Sequence, residues 1–388
     1  MSPSTEFIPF ARPTLGPEEE RAAVEVIRSG WLTTGPQAAA FEEEFAAYVG
    51  SRHALAVCSA TAGLHLALEA LGVGPGDLVA TTPYTFTATA EVIRYLGADP
   101  VFVDVEPRTY NLDPRCLERA VRDSGERLKA VLPVHIGGLP CALEKIQAVS
   151  APVPVVEDAA HAFPVTLDGR YAGAIGTLGV YSFYANKNIT TGEGGMVVTD
   201  RDDLASRVRI MRNHGIDREA WARYTAPGAS WKYAVVEAGY KYNLADIAAA
   251  IGRVQLRRAE SFLADRRRVA RVYIEQLKDL EFVELPVTAE SHAWHLFLLR
   301  LRPERLTISR DRFVEALREV GIGTSVHYIP LHIMPYYRDR YGLKPADFPA
   351  ALDCYERTIS LPIYPALTDA QVSRVVEAVR QIGYSAAR

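Results

Sequence analysis

From His53 onward the chain alternates short apolar runs with longer stretches of helical spacing. Strand-length runs cover Ala54 to Cys58, Leu78 to Thr82, Pro100 to Val103, Ala130 to Val134 and Val153 to Val156. Between and after them, Thr61 to Leu71, Thr87 to Leu96 and Ala142 to Val149 carry helical patterns. Strands separated by helices can enter one sheet in parallel, because the crossover brings the chain back in the same direction. The alternation therefore predicts an α/β fold, a large domain with a mostly parallel sheet and helices on both faces. Ligands of such sheets sit beyond the carboxyl ends of the strands.

The flanks suggest the rest of the organisation. Phe7 to Leu15 is Pro-rich and reads as extended, and Pro17 to Ser29 reads as a helix with Gly30 beyond its end. Ala245 to Leu280 is strongly helical, with only Gly252 interrupting, and bridges to a second unit. The expected division is residues 1–255, a large domain, and residues 256–388, a smaller α+β domain. Within the latter, His295 to Leu301 and Ile322 to Val326 read as strands and Asp311 to Val320 as a helix. Thr368 with Gln371 forms a capping-box pattern for a final helix.

Composition excludes several classes. At 388 residues with a net charge of −4, the chain has no basic field to attract nucleic acid. Arg266-Arg267-Arg268 lies on a helical pattern and reads as a solvated face. No run of eighteen apolar residues occurs, so no membrane span is expected. Cys58, Cys116, Cys141 and Cys354 form neither a C-x-x-C pair nor a disulfide framework. With no signal-peptide pattern at the start, these cysteines point to a cytoplasmic protein.

The chemistry concentrates between Val155 and Thr199. Asp158 closes an apolar run and His161 follows one turn later. Ser182-Phe183-Tyr184 and then Lys187-Asn188 precede a small-residue loop, Thr190 to Gly195. Taken singly, a lysine after an aromatic strand is ordinarily solvated, and an Asp after an apolar run is ordinarily a turn or cap. As a set they suit pyridoxal phosphate (PLP). PLP needs a lysine to hold it as a Schiff base and a carboxylate to keep its ring nitrogen protonated. Lys187 and Asp158 supply both, Ser182 offers a donor to the phosphate, and no metal is called for. A second anion-binding turn is Ser59-Ala60-Thr61-Ala62-Gly63, where a strand meets a helix and first-turn amides point outward. Thr191 to Gly195 lacks the G-K-[ST] of a phosphate-loop NTPase. His135 has no second ligand at metal spacing and reads as part of a turn.

Glu157-Asp158-Ala159-Ala160-His161-Ala162, Tyr181-Ser182-Phe183, Lys187-Asn188-Ile189-Thr190 and Glu193-Gly194-Gly195 together resemble the signature of a known family. It is the DegT/StrS family of PLP-dependent sugar aminotransferases, of fold type I, and the similarity covers nearly the whole chain. Its anion loop usually carries Gly where this chain has Ala60, and Ala disfavours positive φ. The resemblance implies transfer of an amino group from L-glutamate to a keto sugar nucleotide. It implies cofactor contacts from Thr61, Ala62, Phe86, Asp158, His161, Ser182 and Lys187, with Phe86 over the pyridine ring. It also implies a homodimer in which Asn243 reaches the neighbouring site. Arg12, Trp31, Thr33, His327 and Tyr328 are its substrate candidates. Arg223 to Ser230 and Gly239 to Ile247 are similar to the members that form 4-amino-4-deoxy-L-arabinose on UDP, so a UDP-linked 4-keto sugar is expected. A 3-keto sugar, or a regulator that binds without catalysis, is the alternative.

Overall fold

The computed structural model describes residues 6–217 and 232–388. Its strands are β1 (His53–Val57), β2 (Leu78–Thr81), β3 (Asp99–Phe102), β4 (Leu128–Leu132), β5 (Val156–Asp158), β6 (Thr166–Leu167), β7 (Arg170–Tyr171), β8 (Leu178–Ser182), β9 (Gly195–Thr199), β10 (Val283–Glu284), β11 (Phe297–Leu301) and β12 (Thr358–Leu361). β3, β2 and β4 pair in parallel in that order. β5 pairs in parallel with β8, and β9 lies antiparallel between β8 and β1. Parallel bridges Val131–Val155 and Val134–Asp158 join the two halves into one surface. The expected mostly parallel sheet is present, with β9 running against it.

The β5 pairing begins later than the apolar pattern suggests. Pro152 and Pro154 carry no N–H, so a ladder forms only beyond them. Elsewhere glycine misleads the reading. Gly252 does not interrupt its helix: a Cβ there would stand 2.7 Å from the Phe41 ring, so the residue serves close helix packing. The break falls instead at Arg258, between helices Asp246–Arg257 and Ala259–Leu277. Ile322 to Val326 is not a strand. Gly321 takes φ +79° and Ile322 bridges to Ile8, while Ser325 bridges to Ser360. The segment is used to tie the chain's start to the C-terminal part.

β10, β11 and β12 form a second, antiparallel sheet. Its core includes Tyr273, Phe297, Phe313, Leu361 and Val375, and Ile8 from the chain's start packs into it. Arg266 is buried and donates to the carbonyls of Trp294, His295 and Ile363, so the expected solvated face fails at that residue. We propose the division between residues 255 and 256, just before the helix break at Arg258. Among the described residues no helix is long and apolar enough to cross a membrane.

The strand carrying Asp158 is braced from behind. Glu157 is fully buried, and its carboxylate accepts from Gly173 N (2.7 Å), Ile175 N (2.7 Å) and Gly176 N (2.5 Å). His135 Nε2 lies 2.9 Å from the same carboxylate, and Cys141 N donates to its Nδ1 (3.0 Å). Nδ1 therefore keeps its lone pair, and the ring proton sits on Nε2, facing Glu157. Glu157→Ala strands four donors, two of them in fully buried hydrogen bonds. It is expected to lower stability by about 3–5 kcal/mol in urea unfolding, and a loss under about 1 kcal/mol would show the brace to be dispensable.

Candidate active site

Asp158 ends β5, and its side chain enters a buried space at the carboxyl edge of the sheet. Thr89 Oγ1 donates to Oδ2 (2.9 Å) and Ala160 N donates to Oδ1 (3.1 Å). Thr89 is itself paired with Thr85 (2.9 Å). Burial raises the Asp158 pKa despite these donors and the nearby Lys187 charge. Lys187 follows β8 in a turn closed by its own N–H to Tyr184 O (2.9 Å). Burial lowers its amine to about 8, with the Asp158 charge pulling the other way. The two charges feel each other, yet no Lys187–Asp158 contact lies within 4.0 Å among the described residues. Asn188 pins the turn through Nδ2 to Phe163 O (2.7 Å) and Ala293 O (3.0 Å).

A ring cluster closes one side. His161 Nε2 and Tyr328 OH are 3.0 Å apart, and the rings lie 13° from parallel. His295 lies against His161, centroids 4.3 Å apart. Burial, followed by the Lys187 charge, pushes the His161 pKa well below the usual range, so the ring is neutral. His327 Nδ1 is 2.8 Å from Ser360 Oγ, and Phe10 stacks on its ring at 5.2 Å. Burial, then the Lys187 charge, lowers His327 to about 4. Tyr84 OH donates to His327 O (2.5 Å). Phe86 is 59 % exposed at the mouth, 6.4 Å from Tyr328.

The turn expected to bind an anion, Ser59 to Gly63, opens the helix that follows β1. Ser59 caps helix Ala60–Ala70, accepting from Ala62 N (3.1 Å), with Thr61 in the first turn. Ala60 is the first helical residue and has no positive φ, so alanine in place of glycine creates no strain. The glycine that matters is Gly195: a Cβ there would meet Ser59 and Ala60 backbone at 2.8 Å. Gly195 pairs with both Val57 and Ser182, so the turn and Ser182 share one corner.

The remaining candidates lie elsewhere. Asn243 bridges Val57 through its backbone and donates to Thr34 Oγ1 (2.6 Å). It does not cap the following helix, whose cap position is Ala245. Asn243, Thr33, Thr34, Arg212 and Lys241 line a cavity of about 420 Å³ of their own. Trp31 borders this loop, its Nε1 donating to Thr34 O (3.2 Å). Arg12 is exposed, two residues past Phe10, and its charge acts on Tyr364. Thr89, His295 and Tyr84 escaped the sequence reading. Thr85 and Thr89 stand at helical spacing, which is the one local cue; His295 was absorbed into a strand pattern.

The geometry suits PLP. A buried amine and a buried carboxylate feel each other's charge without forming an ion pair, and among the described residues the buried Nδ1 of His161 has no hydrogen-bond partner. Residues 13–380 match the DegT/DnrJ/EryC1/StrS aminotransferase family. The chain belongs to that family. It is a PLP-dependent sugar aminotransferase of fold type I. Spore coat polysaccharide biosynthesis protein SpsC of Bacillus subtilis is 46 % identical over 381 residues, 97 % of each chain. The PLP form of the putative sugar aminotransferase Spr1654 of Streptococcus pneumoniae matches with a TM-score of 0.89 at 30 % identity, over 98 % of this chain and 99 % of that one. PseC of Helicobacter pylori, an aminotransferase involved in pseudoaminic acid biosynthesis, matches with a TM-score of 0.90 at 28 % identity, over 98 % and 100 %. The likeness to arabinose-forming members is only loose, and its segment Arg223 to Ser230 lies outside the described residues.

In this aminotransferase burial brings the Lys187 amine down to about 8. With Lys187 at about 8, covalent capture of PLP by the apoprotein should speed up from pH 6 to pH 8 and then level off. Because the Asp158 charge raises the Lys187 pKa, Asp158→Asn should move the midpoint lower. Stopped-flow absorbance checks both; a midpoint near 10, or an upward move in the variant, would contradict the assignment.

Proposed function

We propose that this aminotransferase moves an amino group from L-glutamate to a keto sugar on a nucleoside diphosphate. The acceptor in this reading is a UDP-linked 4-keto sugar, and the product is the corresponding amino sugar nucleotide. The observation that carries the reading is the Lys187 amine, lowered to about 8, opposite a buried carboxylate that it does not touch. An amine with that pKa can both take and return a proton near neutral pH. When bound, PLP supplies the electron sink that makes the amino-bearing carbon acidic.

In this reading each residue has a stated task. Lys187 holds the cofactor, and once displaced by the donor it moves a proton from and to the substrate's amino-bearing carbon. Asp158 keeps a proton on the ring nitrogen, and Thr89 and Ala160 N hold that carboxylate in place. Thr61, the amide of Ala62 and Ser182 bind the phosphate, joined by Asn243 from the neighbouring subunit of a homodimer. Phe86 would lie over the ring, where offset stacking would contribute about 0.5–1.5 kcal/mol beyond area burial, and His161 would lie on the other side or near the ring hydroxyl. His327 and Tyr328 face the sugar nucleotide, and Arg12, Trp31 and Thr33, which lie away from the ring cluster, are the further contacts proposed for it. The names of SpsC and PseC support a sugar acceptor and a role in surface polysaccharide or amino sugar synthesis. The Gly239 to Ile247 segment supports the UDP-linked 4-keto choice. Four free cysteines suit the reducing cytoplasm proposed for it.

The test is incubation of the PLP-loaded protein with L-glutamate and a panel of keto sugar nucleotides, with products read by mass. Amination of a UDP-linked 4-keto sugar is expected, and amination of 3-keto sugars alone would overturn the acceptor choice. Lys187→Ala should lower turnover by more than about 10³-fold while the fold survives. Turnover within tenfold of the parent would remove Lys187 from its role.

A further inference from the structure

We propose that Tyr328 and His161 form a proton relay that serves the entry and departure of water at the substrate carbon, a task separate from that of Lys187. The proposal rests on the aminotransferase reading above. Release of glutamate's keto acid exchanges a carbon–nitrogen bond for a carbon–oxygen bond. The oxygen comes from water, and both hydrogens of that water end on the departing nitrogen. Amination of the keto sugar runs the same exchange backwards, and its oxygen leaves as water. No oxidant or reductant enters either direction. Each direction needs a group that carries one proton between oxygen and nitrogen.

Tyr328 is the hydroxyl placed for this. The other hydroxyls of the cluster are committed. Tyr84 OH donates to His327 O, Ser360 Oγ pairs with His327 Nδ1, and Thr89 donates to Asp158. Tyr328 OH instead meets His161 Nε2 at 3.0 Å, with the two rings nearly parallel. An imidazole at that distance accepts a proton from a hydroxyl or returns one, according to its tautomer. Tyr328 also borders the cofactor space, since its hydroxyl senses the Asp158 charge and its ring lies 6.4 Å from Phe86. His161 is fixed for the exchange by the His295 ring at 4.3 Å. Its Nδ1 is buried and has no hydrogen-bond partner among the described residues, so the second end of the relay is free of competing contacts from them.

Lys187 already moves the proton at carbon, and this divides the two functions experimentally. In single-turnover mixing of the PLP-loaded protein with L-glutamate, the visible absorbance change follows Lys187, and keto acid release follows the water step. Tyr328→Phe should slow keto acid release by about 10²-fold or more relative to the absorbance change, so that release lags behind it. His161→Gln keeps an acceptor for the Tyr328 hydroxyl but cannot pass a proton through, so release should fall by at least about tenfold. Nitrogen-15 spectra of the histidine-labelled apoprotein supply a readout independent of turnover. The His161 signals, assigned by their loss in His161→Gln, should show one protonated ring nitrogen at pH 7 and should move in Tyr328→Phe. Release within threefold of the parent in Tyr328→Phe, or a doubly protonated His161, would overturn the relay. If both the absorbance change and release fell together in Tyr328→Phe, the residue would be a binding group and the relay would again be refuted. No absorbance change in the parent protein would sink the functional reading itself, and the relay with it.

Discussion

A buried carboxylate without an ion-pair partner is costly, and the protein is arranged around one. Asp158 is out of water, holds two hydrogen bonds, and faces an amine that stays beyond 4.0 Å. Had Lys187 closed on it, the pair would have neutralised each other and the amine would have lost its readiness to react. The gap preserves both groups. It also explains why Thr89 and Thr85 line up behind the carboxylate: a buried charge without a cation needs oriented dipoles.

Strand geometry lets two adjacent acids do different work. Successive side chains of a strand point to opposite faces. Glu157 therefore turns into the fold, where His135 and three backbone amides hold it, and Asp158 turns to the other face, where Thr89 and the Ala160 amide hold it. The C-terminal unit completes the pocket from across the chain. His295, His327 and Tyr328 come from beyond the long helices, and Ser360, Phe10 and Tyr84 fix His327 from three separate segments.

Local periodicity made much of this legible. Alternating apolar runs and helices specify a mostly parallel sheet, and the Asp158 to Lys187 stretch points to a cofactor by residue type alone. The misses share a cause: they are decided by contacts distant in sequence. Gly252 looks like a helix interruption until Phe41 is seen against it. Ile322 looks like a strand until Ile8 claims its backbone. The triple arginine looks solvated, yet Arg266 satisfies three buried carbonyls that periodicity cannot foresee. Thr89 and His295 are ordinary residues locally and acquire meaning only from Asp158 and His161.

The central claim is that one lysine, facing one buried carboxylate, holds the cofactor. Borohydride reduction of the PLP-loaded protein fixes the cofactor to whichever lysine carries it, and peptide mass spectrometry then locates the adduct. The account predicts the added mass on Lys187 alone. An adduct on another lysine, such as Lys232 or Lys241, with Lys187 unmodified, would contradict it.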